Sequence, residues 1–446
     1  MHQIDEEFYK ETAKQGIIIK IGFNKYAKEN AMNYNEAYAK LEAIGQTQLL
    51  KYYDELSDEE KKSLLQQIDD TDFSVIDSLS QGLTGAEKGV ISPLGAMELD
   101  EIEANYDRYT QIGIDAIAAG KVGAVLLAGG MGTRLGSDNP KGMYNIGLTK
   151  DVYIFQRLIE NVMDVVKLAN EKTGRDDIWI PFYIMTSEKN NDTTIAFFEE
   201  MNYFGYCKEH IHFFKQEMAP ATDRNGKVYL EEKGRISTSP NGNAGWFKSL
   251  VSAGLLDGVH EQGIEYLNIF AVDNVLQRIA DPTFVGACLE KDVEVGAKVV
   301  RKAAPDEKIG VMCLEDGRPS IVEYYEMTDE IMNAKNEKGD PAYLFGVILN
   351  YLFKVSALEE ILSKALPMHV VEKKIPCLDE DGNQVKPEEP NGYKFEQLVL
   401  DMIHQLDSCL PYEVVREKEF APIKNKTGVD SVESARELCK LNGIVL

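Results

Sequence analysis

The chain has 446 residues, too many for one ordinary core, and its length suggests two to three domains. With 44% hydrophobic and 27% charged residues it reads as a soluble globular protein rather than a disordered one. A net charge of −26 argues against a nucleic-acid partner, since phosphate backbones need a basic face, and no apolar run reaches the length of a membrane span.

Residues 1–100 read as an N-terminal helical region without evident chemistry. The segment opens acidic (Asp5, Glu6, Glu7) and lacks the apolar stretch of a signal peptide. Leu49, Leu50, Tyr53 and Leu56 recur at helical spacing. Ser57-Asp58-Glu59-Glu60 is a capping-box start for a helix whose apolar face holds Leu64, Leu65 and Ile68. Residues 97–102 read as a linker.

From about residue 122 strands alternate with helices. Val125 to Ala128 is the first predicted strand, and residues 178–186 are the second, where Pro181 suggests an edge or a bulge. His210 to Lys215, Tyr266 to Val272 and Gly296 to Lys302 follow. Continuous apolar strands with intervening helices imply an α/β fold: a doubly wound, mainly parallel, Rossmann-like sheet. Residues 101–405 are then the catalytic domain, and 406–446 a short C-terminal segment. In such sheets ligands bind beyond the carboxyl ends of the strands. The six cysteines are widely spaced, with no C-x-x-C pair, and read as thiols of a reducing compartment, the cytoplasm. His210 and His212 alternate on a predicted strand and read as packing residues.

The densest signal is the stretch after the first strand. Gly129, Gly130 and Gly132 form a glycine-rich turn, followed by Arg134 and Lys141. Glycines bring bare N–H groups against a ligand, and the two cations suit phosphate oxygens. Together they describe a nucleoside triphosphate site. No G-x-x-x-x-G-K-[ST] run occurs, and the third glycine of a dinucleotide fingerprint arrives one place late, at Gly136, because Leu135 occupies the required position. That disfavours a nicotinamide-dependent oxidoreductase.

Four further segments carry candidate chemistry. Gln216 ends the Phe213-Phe214-Lys215-Gln216 strand with an amide able to read the imide edge of uracil. Ser239 to Gly245, containing Gly242 and Asn243, is a turn-rich stretch before a helix starting at Trp246. Asp273 ends an apolar strand with one carboxylate, suited to a hard cation that takes one or two carboxylates plus substrate phosphates. Lys394 and Lys424 each follow a turn. Read singly, these are also a solvated strand end, a plain loop, a helix cap and two surface lysines.

In order along the chain stand L-A-G-G-M-G-T-R-L-G, P-K-G-M-Y, P-F-Y-I-M-T-S, F-F-K-Q-E-M-A-P-A, P-N-G-N-A-G, V-D-N-V-L-Q-R-I-A-D-P, G-A-K-V-V, V-E-Y, P-N-G-Y-K-F-E and Y-E-V-V-R-E-K-E-F-A-P-I-K-N. With these, residues 95–430 resemble the eukaryotic-type UDP-N-acetylhexosamine pyrophosphorylases, relatives of the UDP-glucose pyrophosphorylases. The resemblance implies a uridylyltransferase that makes a UDP-sugar and pyrophosphate from UTP and a sugar 1-phosphate. N-acetylglucosamine 1-phosphate is the expected sugar, and glucose or galactose 1-phosphate the alternative.

It also implies roles. Ala128, Gly129 and Gly130 would hug the nucleotide, with Gln216 and Gly242 on the uridine. Arg134 and Lys141 would hold the phosphates, Asp273 the Mg²⁺, and Lys394 and Lys424 would complete the cations. Asn243, Glu323 and Tyr324 would contact the hexose. A catalytically silent nucleotide-binding regulator would have lost a phosphate-binding cation, and all four are present. Two departures stand out. A sugar-contacting asparagine of the family is Val347 here, although Asn350 survives, and Ala244 replaces a glycine. Because the chain ends soon after Lys424, most of the family's β-rich C-terminal domain is expected to be absent, with a monomer as the expected state.

Overall fold

The computed structural model describes residues 32–81, 89–337 and 339–446, and these fall into two compact units. The smaller comprises the N-terminal part through Thr71, together with Leu230–Ile236 and Leu378–Gln384. The capping box at Ser57 and Glu60 starts the helix Asp58–Asp70, which buries Leu64, Leu65 and Ile68, as the sequence predicts. A second capping box, Asn33 with Glu36, starts the helix Tyr34–Ala43. The periodic stretch from Leu49 to Leu56 is not an α-helix but two 3₁₀ turns, Thr47–Leu50 and Tyr53–Glu55. Leu49, Leu50 and Leu56 are nevertheless buried. The acidic opening of the chain lies outside the described residues.

The larger unit is built on a ten-stranded sheet. In chain order its strands are β1 (Ile91–Pro93), β2 (Val122–Leu127), β3 (Phe182–Thr186), β4 (Ile211–Lys215) and β5 (Tyr266–Ala271). They continue as β6 (Val295–Arg301), β7 (Val311–Glu315), β8 (Arg318–Val322), β9 (Phe345–Lys354) and β10 (Cys409–Glu413). The spatial order is β1-β7-β9-β5-β2-β3-β4, with β8 on β7, β6 on β9 and β10 on β6. Strands β5, β2, β3 and β4 form a parallel run, while β9 is antiparallel to both β5 and β6.

Alternate residues of one strand feed two separate cores, the mark of a doubly wound sheet. Ala124, Leu126, Phe182, Ile184 and Phe270 join the first, under the helix Ile154–Thr173. Val125, Leu127, Tyr183, Met185 and Ile269 join the second, under the helix Trp246–Ser252. This helix begins at the residue the turn chemistry predicts.

Three local expectations need correction. Pro181 is neither on an edge nor in a bulge. It precedes β3, an interior strand between β2 and β4, where a missing N–H is tolerated, and its carbonyl accepts from Ala124 N–H at 2.8 Å. Residues 97–102 are not a linker. Met97 is buried and exchanges backbone hydrogen bonds with Pro411 and Glu413, and a helix runs from Leu99 to Ala104. His210 lies in a 3₁₀ turn ahead of β4, so it does not alternate with His212 on the strand. The two rings stack on Trp179 and Tyr183 respectively. Among the described residues no disulfide joins any of the six cysteines, and no helix is long and apolar enough to cross a membrane.

Candidate active site

The parallel run delivers its loops to one end of the sheet, and the predicted residues gather there. β2 passes into Ala128, whose N–H donates to the Met185 carbonyl and whose own carbonyl accepts from Asn190 Nδ2. The glycine loop then doubles back on itself. Gly132 N–H donates to Asn139 O at 2.8 Å, Met131 bridges Pro140, and Lys141 N–H donates to Gly130 O at 3.0 Å. Gly136 makes the reversal at φ +74°, a conformation that favours glycine. The loop thereby returns Lys141 to Gly130.

Gln216 follows β4 and is buried. Its Nε2 donates to Gly242 O at 2.7 Å, leaving Oε1 toward Gly129. The amide is thus held in one orientation, with its acceptor turned to the glycine loop. Gly242 sits at φ +89°, pressed so closely on Gln397 that only glycine fits. Ala244 N–H donates to Gln397 O, Gln397 N–H to Asn241 O, and Val399 N–H to Asn243 Oδ1. Ala244 is buried in this seam.

Asp273 follows β5, and its carbonyl accepts from Ile423 N–H at 2.9 Å. The neighbouring Asn274 donates to Glu419 O and accepts from Ala421 N–H. These bonds bring Lys424 to the end of β5, although 150 residues of chain separate it from Asn274. Lys424 Nζ donates to Asp430 at 3.1 Å. Burial lowers the pKa of Lys141; the Asp273 carboxylate opposes the shift, and the positive charges of Arg134 and Lys424 add to it. Three charged side chains therefore act on Lys141 at the loop.

Two cavities open on this surface. One, of about 460 Å³, is lined by Gly129, Gly130, Gln216, Gly242 and Lys394. The other, of about 310 Å³, is lined by Asp273, Glu323, Tyr324, Val347 and Lys424. Asn243 and Leu398 line both. Ala128, Arg134 and Lys141 line neither, and Lys141 joins the group through its charge.

Asn350 does not stand in for the missing asparagine. It is fully buried, accepting from Asn268 Nδ2 at 2.9 Å and donating to Gln277 Oε1 at 3.2 Å. Sequence reasoning missed Ser239 in the first cavity, and Lys308, Ile309 and Leu349 in the second. Ser239 was within reach, since it lies inside the singled-out turn; its buried hydroxyl has no hydrogen-bond partner among the described residues. Lys308 and Leu349 carry no local signal.

The family model described as UTP–glucose-1-phosphate uridylyltransferase matches residues 94–442. The UDP-N-acetylhexosamine pyrophosphorylase-like protein 1 of Xenopus tropicalis is 35% identical over 426 residues, covering 90% of this chain and 82% of its own. The UDP-N-acetylglucosamine pyrophosphorylase of Saccharomyces cerevisiae is also 35% identical, covering 88% and 86%. Among solved structures, the uridine diphosphate N-acetylglucosamine pyrophosphorylase of Trypanosoma brucei, in complex with inhibitor, superposes with a TM-score of 0.75 at 27% identity, covering 91% and 84%. By the matched span and these identities, the chain belongs to the UTP–glucose-1-phosphate uridylyltransferase family.

Proposed function

We propose that the chain joins UTP to N-acetylglucosamine 1-phosphate, giving the UDP-sugar and pyrophosphate. The observation that carries this reading is the pair of cavities meeting at Asn243. The first takes the nucleoside, with the fixed Gln216 acceptor facing the uracil N3–H and the Gly129–Gly130 backbone against the base and ribose. The second takes the hexose, between Asn243, Glu323 and Tyr324. Arg134, Lys141, Lys394 and Lys424 hold the phosphates.

An oxygen of the sugar phosphate attacks the α-phosphorus in line. A new P–O bond forms, the bond to the β-phosphate oxygen breaks, and pyrophosphate leaves with its electron pair. No protein nucleophile is required, because positioning and charge neutralisation supply the rate. Asp273 places one carboxylate on the cavity wall, and one carboxylate with phosphate oxygens is the donor set that Mg²⁺ takes. Bound there, Mg²⁺ would neutralise charge developing on the phosphates. We place the enzyme in the cytoplasm and expect it to act as a monomer.

The test is pyrophosphate release with UTP, Mg²⁺ and a panel of sugar 1-phosphates. Release with N-acetylglucosamine 1-phosphate that stops on chelation is the expected result. Turnover of UTP without any sugar 1-phosphate, or free replacement of UTP by ATP, would refute the assignment.

A further inference from the structure

The second cavity is closed by a segment that departs from regular strand geometry. β9 pairs with β5 up to Phe270↔Asn350, where the pairing ends. On its other edge the register against β6 jumps: Ala297 opposes Tyr351, but Val299 opposes Val347. Residues 348–350 therefore stand opposite Lys298 alone, a bulge on β9. Leu349 absorbs it at φ +52°, a left-handed conformation that a leucine keeps only where its surroundings impose it. The next residue supplies that constraint, since Asn350 is locked between Asn268 and Gln277. As a result Val347, Ile348 and Leu349 all border the cavity, where a regular strand would turn every second residue away. Leu349 is half-buried and packs with Val347 on the same core.

We infer that Leu349 is a specificity-determining residue that sets the upper size of the ring substituent entering this cavity. The inference rests on the uridylyltransferase reading above. With Val347, Ile321 and Tyr351 it makes a wall that is largely apolar. Such a wall suits the carbon end of a short acyl group and offers little to a charged one. Because the backbone beneath it is pinned, the wall yields little to a longer chain.

The experiment compares glucosamine 1-phosphates carrying N-acetyl, N-propanoyl and N-butanoyl groups, read by pyrophosphate release. For the wild type, kcat/KM falls about tenfold or more per added methylene. In Leu349→Ala and Leu349→Gly the series flattens to within about threefold, while KM for UTP stays unchanged. Glycine suits φ +52°, so Leu349→Gly keeps the fold and melts no lower than Leu349→Ala. A steep series in both variants, or a flat one in the wild type, overturns the inference alone. If the wild type turns over no sugar 1-phosphate at all, the uridylyltransferase reading fails, and the inference with it.

Discussion

Gly242→Ala probes the seam between the two cavities. Gly242 holds φ +89° and ψ 171°, a region nearly closed to other residues, and a Cβ there would lie 2.1 Å from Gln397 O and 2.5 Å from Gln397 N. Gln397 cannot retreat alone, because its carbonyl accepts from Ala244 N–H at 3.0 Å and its N–H donates to Asn241 O at 2.8 Å. The backbone conformation costs about 1–3 kcal/mol. Each seam hydrogen bond that opens costs about 1 kcal/mol more. Together the loss is about 3–5 kcal/mol.

Gly254→Ala is the control. Its φ is +74° with open space around it, so only the conformational cost of about 1–2 kcal/mol applies. Urea unfolding of both variants measures the difference. Steady-state kinetics should add a second signature. Gly242 O anchors Gln216 and Asn243 lines both cavities, so KM should rise for UTP and for the sugar 1-phosphate, while Gly254→Ala leaves both alone. Equal destabilisation by the two substitutions, or unchanged KM values in Gly242→Ala, would refute the seam as the element that joins the two subsites.

On the proposed reaction, in which the cation meets charge that develops in the transition state, Lys141→Met should cost about a hundredfold or more in turnover with the fold intact; a near wild-type rate would return Lys141 to a surface role. Burial lowers the Lys141 pKa, so its ammonium is lost as pH rises through a value below the ordinary lysine range. KM for UTP should therefore climb on that alkaline limb in the wild type and stay flat in Lys141→Met, and parallel profiles would remove Lys141 from the phosphate site. Gln216→Ala should raise KM for UTP more than it lowers kcat, since a base contact binds substrate and transition state alike; an unchanged KM would leave base recognition to the backbone. Val347 has no polar group to be left unpaired by a sugar lacking one substituent, so glucose or galactose 1-phosphate should be accepted alongside the N-acetylhexosamine. Val347→Asn should narrow that range, and a wild-type preference beyond about a thousandfold would place selection on Asn243, Glu323 or Tyr324.

What was legible in the sequence was local. β2, β3 and β5 are buried on both faces, so each reads as a mainly apolar run, broken in β5 only by the buried Asn268. The glycine loop compresses turn residues and cations into a few positions, and its hydrogen bonds close within itself. The Ser57 cap is likewise fixed by Glu60, three places on. What escaped was non-local. Met97 belongs to the sheet through Pro411 and Glu413, a pairing that no local pattern announces. The bulge at Leu349 falls where β9 stops pairing with β5 and its register against β6 shifts, a meeting of distant strands. Periodicity at 49–56 was real as burial but not as helix, because 3₁₀ turns can present the same apolar residues inward.

Lys424 shows how a residue without a signal of its own acquires a position. Beneath the end of β5, the fully buried Lys298 donates to Glu419 at 2.5 Å, to Asp281 at 3.3 Å and to the Arg278 carbonyl at 3.0 Å. Arg278 adds an ion pair to Asp281. Buried charges of this kind do little for net stability, but a partner left uncompensated is costly, so removing any one of them is strongly disfavoured. Glu419 is thereby pinned against β6, and its carbonyl, with Ala421 N–H, captures the Asn274 side chain. Ile423 N–H then closes on Asp273 O, and Lys424 comes to line the same cavity as the Asp273 carboxylate. The cation on this cavity is thus positioned by a salt-bridge cluster that lines neither cavity, and although its members sit inside quoted motifs, their pairing across the fold is not readable from the motifs themselves.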